Sequence, residues 1–164
     1  VLCYHYREEM APHLFSLLTK LSRFYENFDH LFTRDNVVAA ICKIILVHGD
    51  AVPLSTLCPT LNQNLPLSKD RDDADYVVRS IFYLIENHGE KLQDLGLSGF
   101  VKQLVYASDQ NTYPKVSETS RNQIVAFLKQ HQNGESAIAT LIQEAFSKLP
   151  TRQKSVLRQL MEAQ

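Results

Sequence analysis

The sequence predicts an all-α fold: a solenoid of about four antiparallel helical hairpins in a right-handed superhelical stack. Three observations lead there. His5, His48, His88 and His131 recur at spacings of 43, 40 and 43 residues, each at or near the end of an apolar run. The segments 35–50 (DNVVAAICKIILVHGD) and 75–90 (DYVVRSIFYLIENHGE) align without a gap, so that Asp35 falls on Asp75, Ile41 on Ile81 and His48-Gly49 on His88-Gly89. Counted from each histidine, apolar residues return at the ninth and thirteenth positions: Leu14 and Leu18, Leu57 and Leu61, Leu97 and Val101. A period near 40 residues marks stacked hairpins, and residues four apart share one face of a helix.

Each hairpin then has a first helix after the histidine and a second helix that ends at the next one. First helices are expected near 9–27, 53–64, 91–108 and 136–147, and second helices near 34–48, 71–88, 117–132 and 150–163. The hairpins are 9–48, 53–88, 91–132 and 136–163. Gly49 and Gly89 suit the left-handed position just beyond a helix C-terminus. Thr33, Asp70 or Asp72, and Ser117 are candidate N-caps, since their oxygens can accept from unpaired first-turn amides. Pro12, Pro53 and Pro150 sit near first turns, where a missing N–H costs little. Ser108–Lys115 (SDQNTYPK) reads as the longest polar loop. In the third hairpin Ile124, Phe127, Leu128 and His131 take the repeat positions, with Gln132 in place of the glycine. The last pair keeps amphipathic spacing but loses the pattern, as a terminal cap does.

Composition narrows the function classes. Hydrophobic residues make up 45% of the 164, with 5 Gly and 6 Pro, which describes a folded, helix-rich chain. A formal charge of -1 carries no basic signature, so no direct nucleic-acid partner is expected. Cys3, Cys42 and Cys58 lack a CxxC spacing and suit reduced thiols in an intracellular protein. No apolar run reaches 18 residues, so no membrane insertion is expected. Val1–Tyr6 reads as the tail of a second helix, and the chain is therefore expected to be cut from a longer protein.

No cluster argues for catalysis. Six histidines invite a metal reading, yet no HxxxH or HExxH pair is present, and repeat histidines should lie about one helix layer apart, ~10 Å, too far to converge on one ion. Cys42 and Cys58 sit in apolar runs, where a thiol is inert. Phosphate-loop and GxSxG motifs are absent. No cofactor, no metal and no enzyme activity are expected. The most polarised stretch is Lys69-Asp70-Arg71-Asp72-Asp73-Ala74-Asp75, at the turn into a second helix. Carboxylates there favour the helix N-terminus; the same group could form an acidic ridge for a basic partner. Arg79 and Glu86, seven residues apart, continue a polar stripe down that helix.

The segments TRDNVVAAICKIILVHG and PLSKDRDDADYVVRSIFYLIENH resemble the HEAT repeats of importin-β-type nuclear transport receptors, nearest to the C-terminal end of the importin-4 and importin-5 subgroup. In that subgroup a second helix opening with Asp-Asn precedes an LPL-x-x-D-x-[DE]-[DE] turn, matched here by Leu65-Pro66-Leu67 and Asp70–Asp73. LSGFVKQLVYASDQ, RNQIVAFLKQH and FSKLPTRQKSVLRQLMEAQ continue the order. The resemblance implies a HEAT solenoid whose second helices line a concave, cargo-facing side. It implies a noncatalytic import receptor that shuttles between cytoplasm and nucleus. Basic cargo such as histones or ribosomal proteins, FG nucleoporins, and Ran-GTP through N-terminal repeats beyond this chain would be its partners. Candidate protein-binding residues on the concave face are Asp35, Asn36, Asp70, Asp72, Asp73, Arg79 and Glu86. A phosphatase regulatory subunit, a coat adaptor, or a helical domain trimmed from an enzyme would show the same repeat signature.

Overall fold

The computed structural model describes residues 7–27, 30–93, 97–131, 134 and 136–162. His5 and Gln132 lie outside the described residues. A short turn at Arg7–Met10 and a 3-10 turn at Ala11–His13 lead into α1 (Leu14–Asn27). Next come α2 (Leu31–His48), α3 (Leu54–Asn64), α4 (Ala74–Gln93), α5 (Ser98–Ala107), α6 (Glu118–His131), α7 (Ala137–Lys148) and α8 (Thr151–Glu162). No strand occurs among the described residues, and the fold is all-α.

The expected first and second helices are present and sort into two rows. In one row α2 packs on α4, α4 on α6 and α6 on α8; in the other α3 packs on α5 and α5 on α7. The rows also touch each other, through α1–α2, α2–α3, α4–α5, α5–α6 and α6–α7. Burial reflects these neighbours. α2 is enclosed on several sides and is apolar nearly all round, burying Val37, Val38, Ala39, Ile41, Cys42, Ile44 and Ile45. α8 has water on its outer side and, among the described residues, buries Leu157 alone. One apolar cluster runs without a break from Leu14 to Leu157, and each fully buried Leu or Ile contributes about 1.5–3 kcal/mol.

The punctuation differs from expectation in three places. Gly49 has φ −49° and ψ −39°, right-handed values that any residue adopts. It is glycine for space: a Cβ there would lie 2.3 Å from the Tyr83 ring. Gly89 does not end its helix either, because α4 continues to Gln93 and only His88 inside it leaves helical geometry. His48 (φ −131°, ψ 23°) and His88 (φ −137°, ψ 21°) nevertheless share one backbone conformation. The residues after each histidine decide whether the helix stops. Beyond His48 a 3-10 turn runs into Pro53, which cannot extend the helix. Beyond His88 lie Glu90-Lys91-Leu92-Gln93, all good helix formers, and the helix resumes.

The caps divide similarly. Ser117 is an N-cap, its Oγ accepting from the Ser120 N–H at 3.2 Å. Thr33 is not, since α2 already begins at Leu31. Asp70 closes a turn ahead of α4 instead, accepting from the Asp72 N–H at 3.3 Å. The Ser108–Lys115 loop is polar but turned inward: Ser108, Asp109 and Tyr113 are buried.

Candidate functional site

The helices of the second row present a shared exposed stripe. From α2 come Asn36, exposed, and Lys43, half-buried; from α4 come Tyr76, Arg79 and Glu86, all exposed. Helical spacing puts Tyr76, Arg79 and Glu86 on one side of α4. The Tyr76 ring, 43% exposed, lies under two cations, with Lys43 Nζ 4.9 Å and Arg79 Cζ 5.8 Å from its centre. Lys43 also reaches across from α2 to Asp73 Oδ2 at 2.6 Å. Asn36 Nδ2 donates to the Phe32 carbonyl of its own helix at 3.0 Å. Arg79 and Glu86 therefore do share a stripe, and Lys43 and Tyr76, which the acidic pattern gave no reason to single out, complete its upper half.

The aspartates meet at the head of this stripe, but their roles diverge. Asp72 is exposed and pairs with Lys115 at 2.6 Å. Asp73 is paired with Lys43. Asp70 is half-buried and closes its local turn. Asp35 is 5% exposed, and its Oδ2 accepts from the N–H groups of Ser68, Lys69 and Asp70 at 3.0, 2.6 and 2.8 Å. That carboxylate is committed to the interior, so Asp35 belongs to the fold and not to a binding surface. The acidic ridge is accordingly smaller than the sequence implies. Three successive backbone donors and a buried position suffice to hold a carboxylate without any partner molecule.

Asp75 repeats the device one hairpin later. Its Oδ1 accepts from the Ser117 N–H at 2.9 Å. Burial works to raise this carboxyl's pKa, but the Ser117 and Ser120 hydrogen bonds and nearby Arg79 prevail, and the net shift is downward. The alignment of Asp35 with Asp75 was the available signal for this shared job. Around the two loops lie groups that the sequence did not single out. Gln103, fully buried, accepts from the Leu67 N–H at 2.9 Å, and the Tyr113 hydroxyl donates to the Leu67 carbonyl at 2.6 Å. Arg121 donates to the carbonyls of Ala107, Ser108 and Tyr113, which ties the end of α5 to the loop beyond it. Asn62 of α3 accepts from the Gly99 and Phe100 N–H groups at 2.6 and 3.3 Å, capping α5 from a neighbouring hairpin.

The chemistry available here is that of contact, not of bond making. Burial pushes the Cys42 thiol up to about 12 and the Cys58 thiol up to about 11, so both are protonated at neutral pH and poor nucleophiles. Among the described residues no three His, Cys, Asp or Glu side chains are grouped to hold a metal ion. His48 is buried at the end of α2; His88 Nε2 lies 3.8 Å from Asp50 Oδ1, longer than a hydrogen bond. His131 closes α6 with its ring 4.8 Å from that of Phe127. No helix among the described residues is long and apolar enough to cross a membrane. A groove of about 500 Å³ between α6, α7 and α8 is lined by Leu128, Ile142, Phe146, Leu157 and Met161, with Arg158 at its edge. No protein-family model, curated protein or solved structure matches the chain.

Proposed function

We propose that this chain is a HEAT-repeat solenoid segment of an importin-β-type nuclear transport receptor, and that it contributes a noncatalytic surface to the binding of basic cargo. The observation that supports the reading most is the order of helix contacts. Second helices touch second helices along the chain, α2 to α4 to α6 to α8, while α3, α5 and α7 form a parallel row. Such a nearest-neighbour arrangement leaves one edge of each second helix unpartnered along the whole array.

The cargo face is then the stripe of Asn36, Lys43, Tyr76, Arg79 and Glu86, headed by Asp70, Asp72 and Asp73. Its charge is mixed, and Asp72 and Asp73 already hold Lys115 and Lys43. A basic partner binds by exchanging one ion pair for another. Each exchange gains little, because exposed pairs are weak and screened by salt. Affinity comes from many such contacts with Tyr76 as the apolar anchor, and it falls as ionic strength rises. FG nucleoporins and Ran-GTP remain partners of the whole receptor in this reading, which places it in both cytoplasm and nucleus.

The test is a pull-down of a histone or ribosomal protein by the receptor carrying this chain, with Ran loaded with GTP or GDP. Release of cargo by Ran-GTP alone is the expected result. Indifference to the nucleotide would overturn the transport reading and leave a scaffold of another kind.

A further inference from the structure

We infer that the two loops joining first to second helices, 65–73 and 108–117, form a single cooperative unit that couples the first hairpin to the last. Hydrogen bonds that cross between hairpins carry this coupling, whatever the chain's role in transport. Residues 67–70 are gripped from both sides. Asp35 of the first hairpin takes the N–H groups of Ser68, Lys69 and Asp70. Gln103 and Tyr113 of the third hairpin take the N–H and the carbonyl of Leu67.

The connection continues without a break. Arg71, next in the chain, stands over the Tyr113 ring at 5.1 Å and donates to the Thr112 carbonyl at 3.3 Å. Thr112 Oγ1 donates to Asp109 Oδ2 at 2.6 Å and accepts from Gln153 Nε2 of α8 at 3.2 Å. Arg121 donates to the Tyr113 carbonyl at 2.6 Å. Asp35 and Gln153, 118 residues apart in sequence, thus sit at the two ends of one polar chain.

Burial makes this set cooperative. Gln103 is 0% exposed and Tyr113 1%, so a bond broken here is not replaced by one to water. The orphaned partner carries the full desolvation cost, which favours the bonds opening together over opening singly. Contiguous sets of this kind exchange their amides as one unit, and coupling between its ends must be equal in both directions.

Amide hydrogen exchange of the chain, read residue by residue by NMR, tests this. Asp35→Ala should speed exchange at Ser68, Lys69 and Asp70 by roughly tenfold or more. It should speed Thr112 and Tyr113, which it does not touch, by a similar factor. Tyr113→Phe, which deletes only a hydroxyl, should in turn speed Ser68–Asp70, and it carries the test alone should Asp35→Ala fail to fold. Amides at the centre of α2, Ile41–Ile45, should stay within about twofold, as they open only with the whole molecule. Acceleration confined to the loop nearest each substitution would overturn the inference. Equal acceleration in α2 would overturn it too, by making the effect global unfolding.

Discussion

At the scale of single residues, the aspartates show how one residue type splits into unrelated jobs. Asp35 and Asp72 look alike in sequence, each beside a helix start. One is buried beneath three backbone donors and the other is exposed beside Lys115. Asp35→Ala should therefore lower unfolding free energy by about 3 kcal/mol, because buried N–H groups lose their acceptor. Asp72→Asn should leave the urea midpoint unchanged, since an exposed pair is screened and weak. Equal midpoints for the two variants would show that the loop amides find other partners. The assignment of Asp35 to a binding surface failed for a physical reason: an N-terminal carboxylate reads the same whether it meets water or the next loop. Its match to Asp75 did encode the device. What the alignment lacked was the loop position 33–35 residues further on, which no local pattern points to.

At the scale of elements, helix existence was legible and helix ends were less so. Apolar recurrence located all four hairpins because each second helix must bury a stripe against both neighbours. Ends depend on the residues beyond them, as His48 and His88 show with one conformation and two continuations. The hand-over into α6 depends on a partner element: Ser117 caps it locally, and Asp75 of α4 holds the Ser117 N–H. This contact is pH-dependent with a definite sign. The Asp75 carboxyl is lowered in the fold, so its contribution is present above its unfolded value, about 3.9. It is lost as pH falls through the lower folded value. Thermal melts from pH 5 to 2.5 should show a shallower acid-side decline for Asp75→Asn than for the parent chain. Parallel declines would mean that the carboxylate charge adds nothing to the cap.

At the scale of the whole molecule, the two rows of helices are spaced by what fits between them, and glycines mark the tightest points. A Cβ on Gly99 would stand 1.7 Å from the Asn62 backbone carbonyl, whereas one on Gly49 would meet the Tyr83 ring at 2.3 Å. A ring can swing; a helix backbone cannot without moving its row. Gly99→Ala should thus cost more stability than Gly49→Ala, which overpacking puts at about 1–3 kcal/mol. Tyr83→Ala should relieve Gly49→Ala in a double-mutant cycle. Additivity in that cycle would mean that the ring is not what excludes a side chain at Gly49. The period of the sequence set the number of hairpins and their order, while these spacings were invisible to it, because a glycine in a helix start gives no sign of which backbone crosses it. The Asn62–Gly99 contact has a practical corollary for building with such arrays. Because Asn62 both caps α5 and crowds Gly99, a chimera cut between the second and third hairpins must carry the two residues together. Exchanging either side alone would join a helix start lacking its acceptor to a surface with no room for a methyl group, so the safest seams for recombination lie elsewhere in the chain.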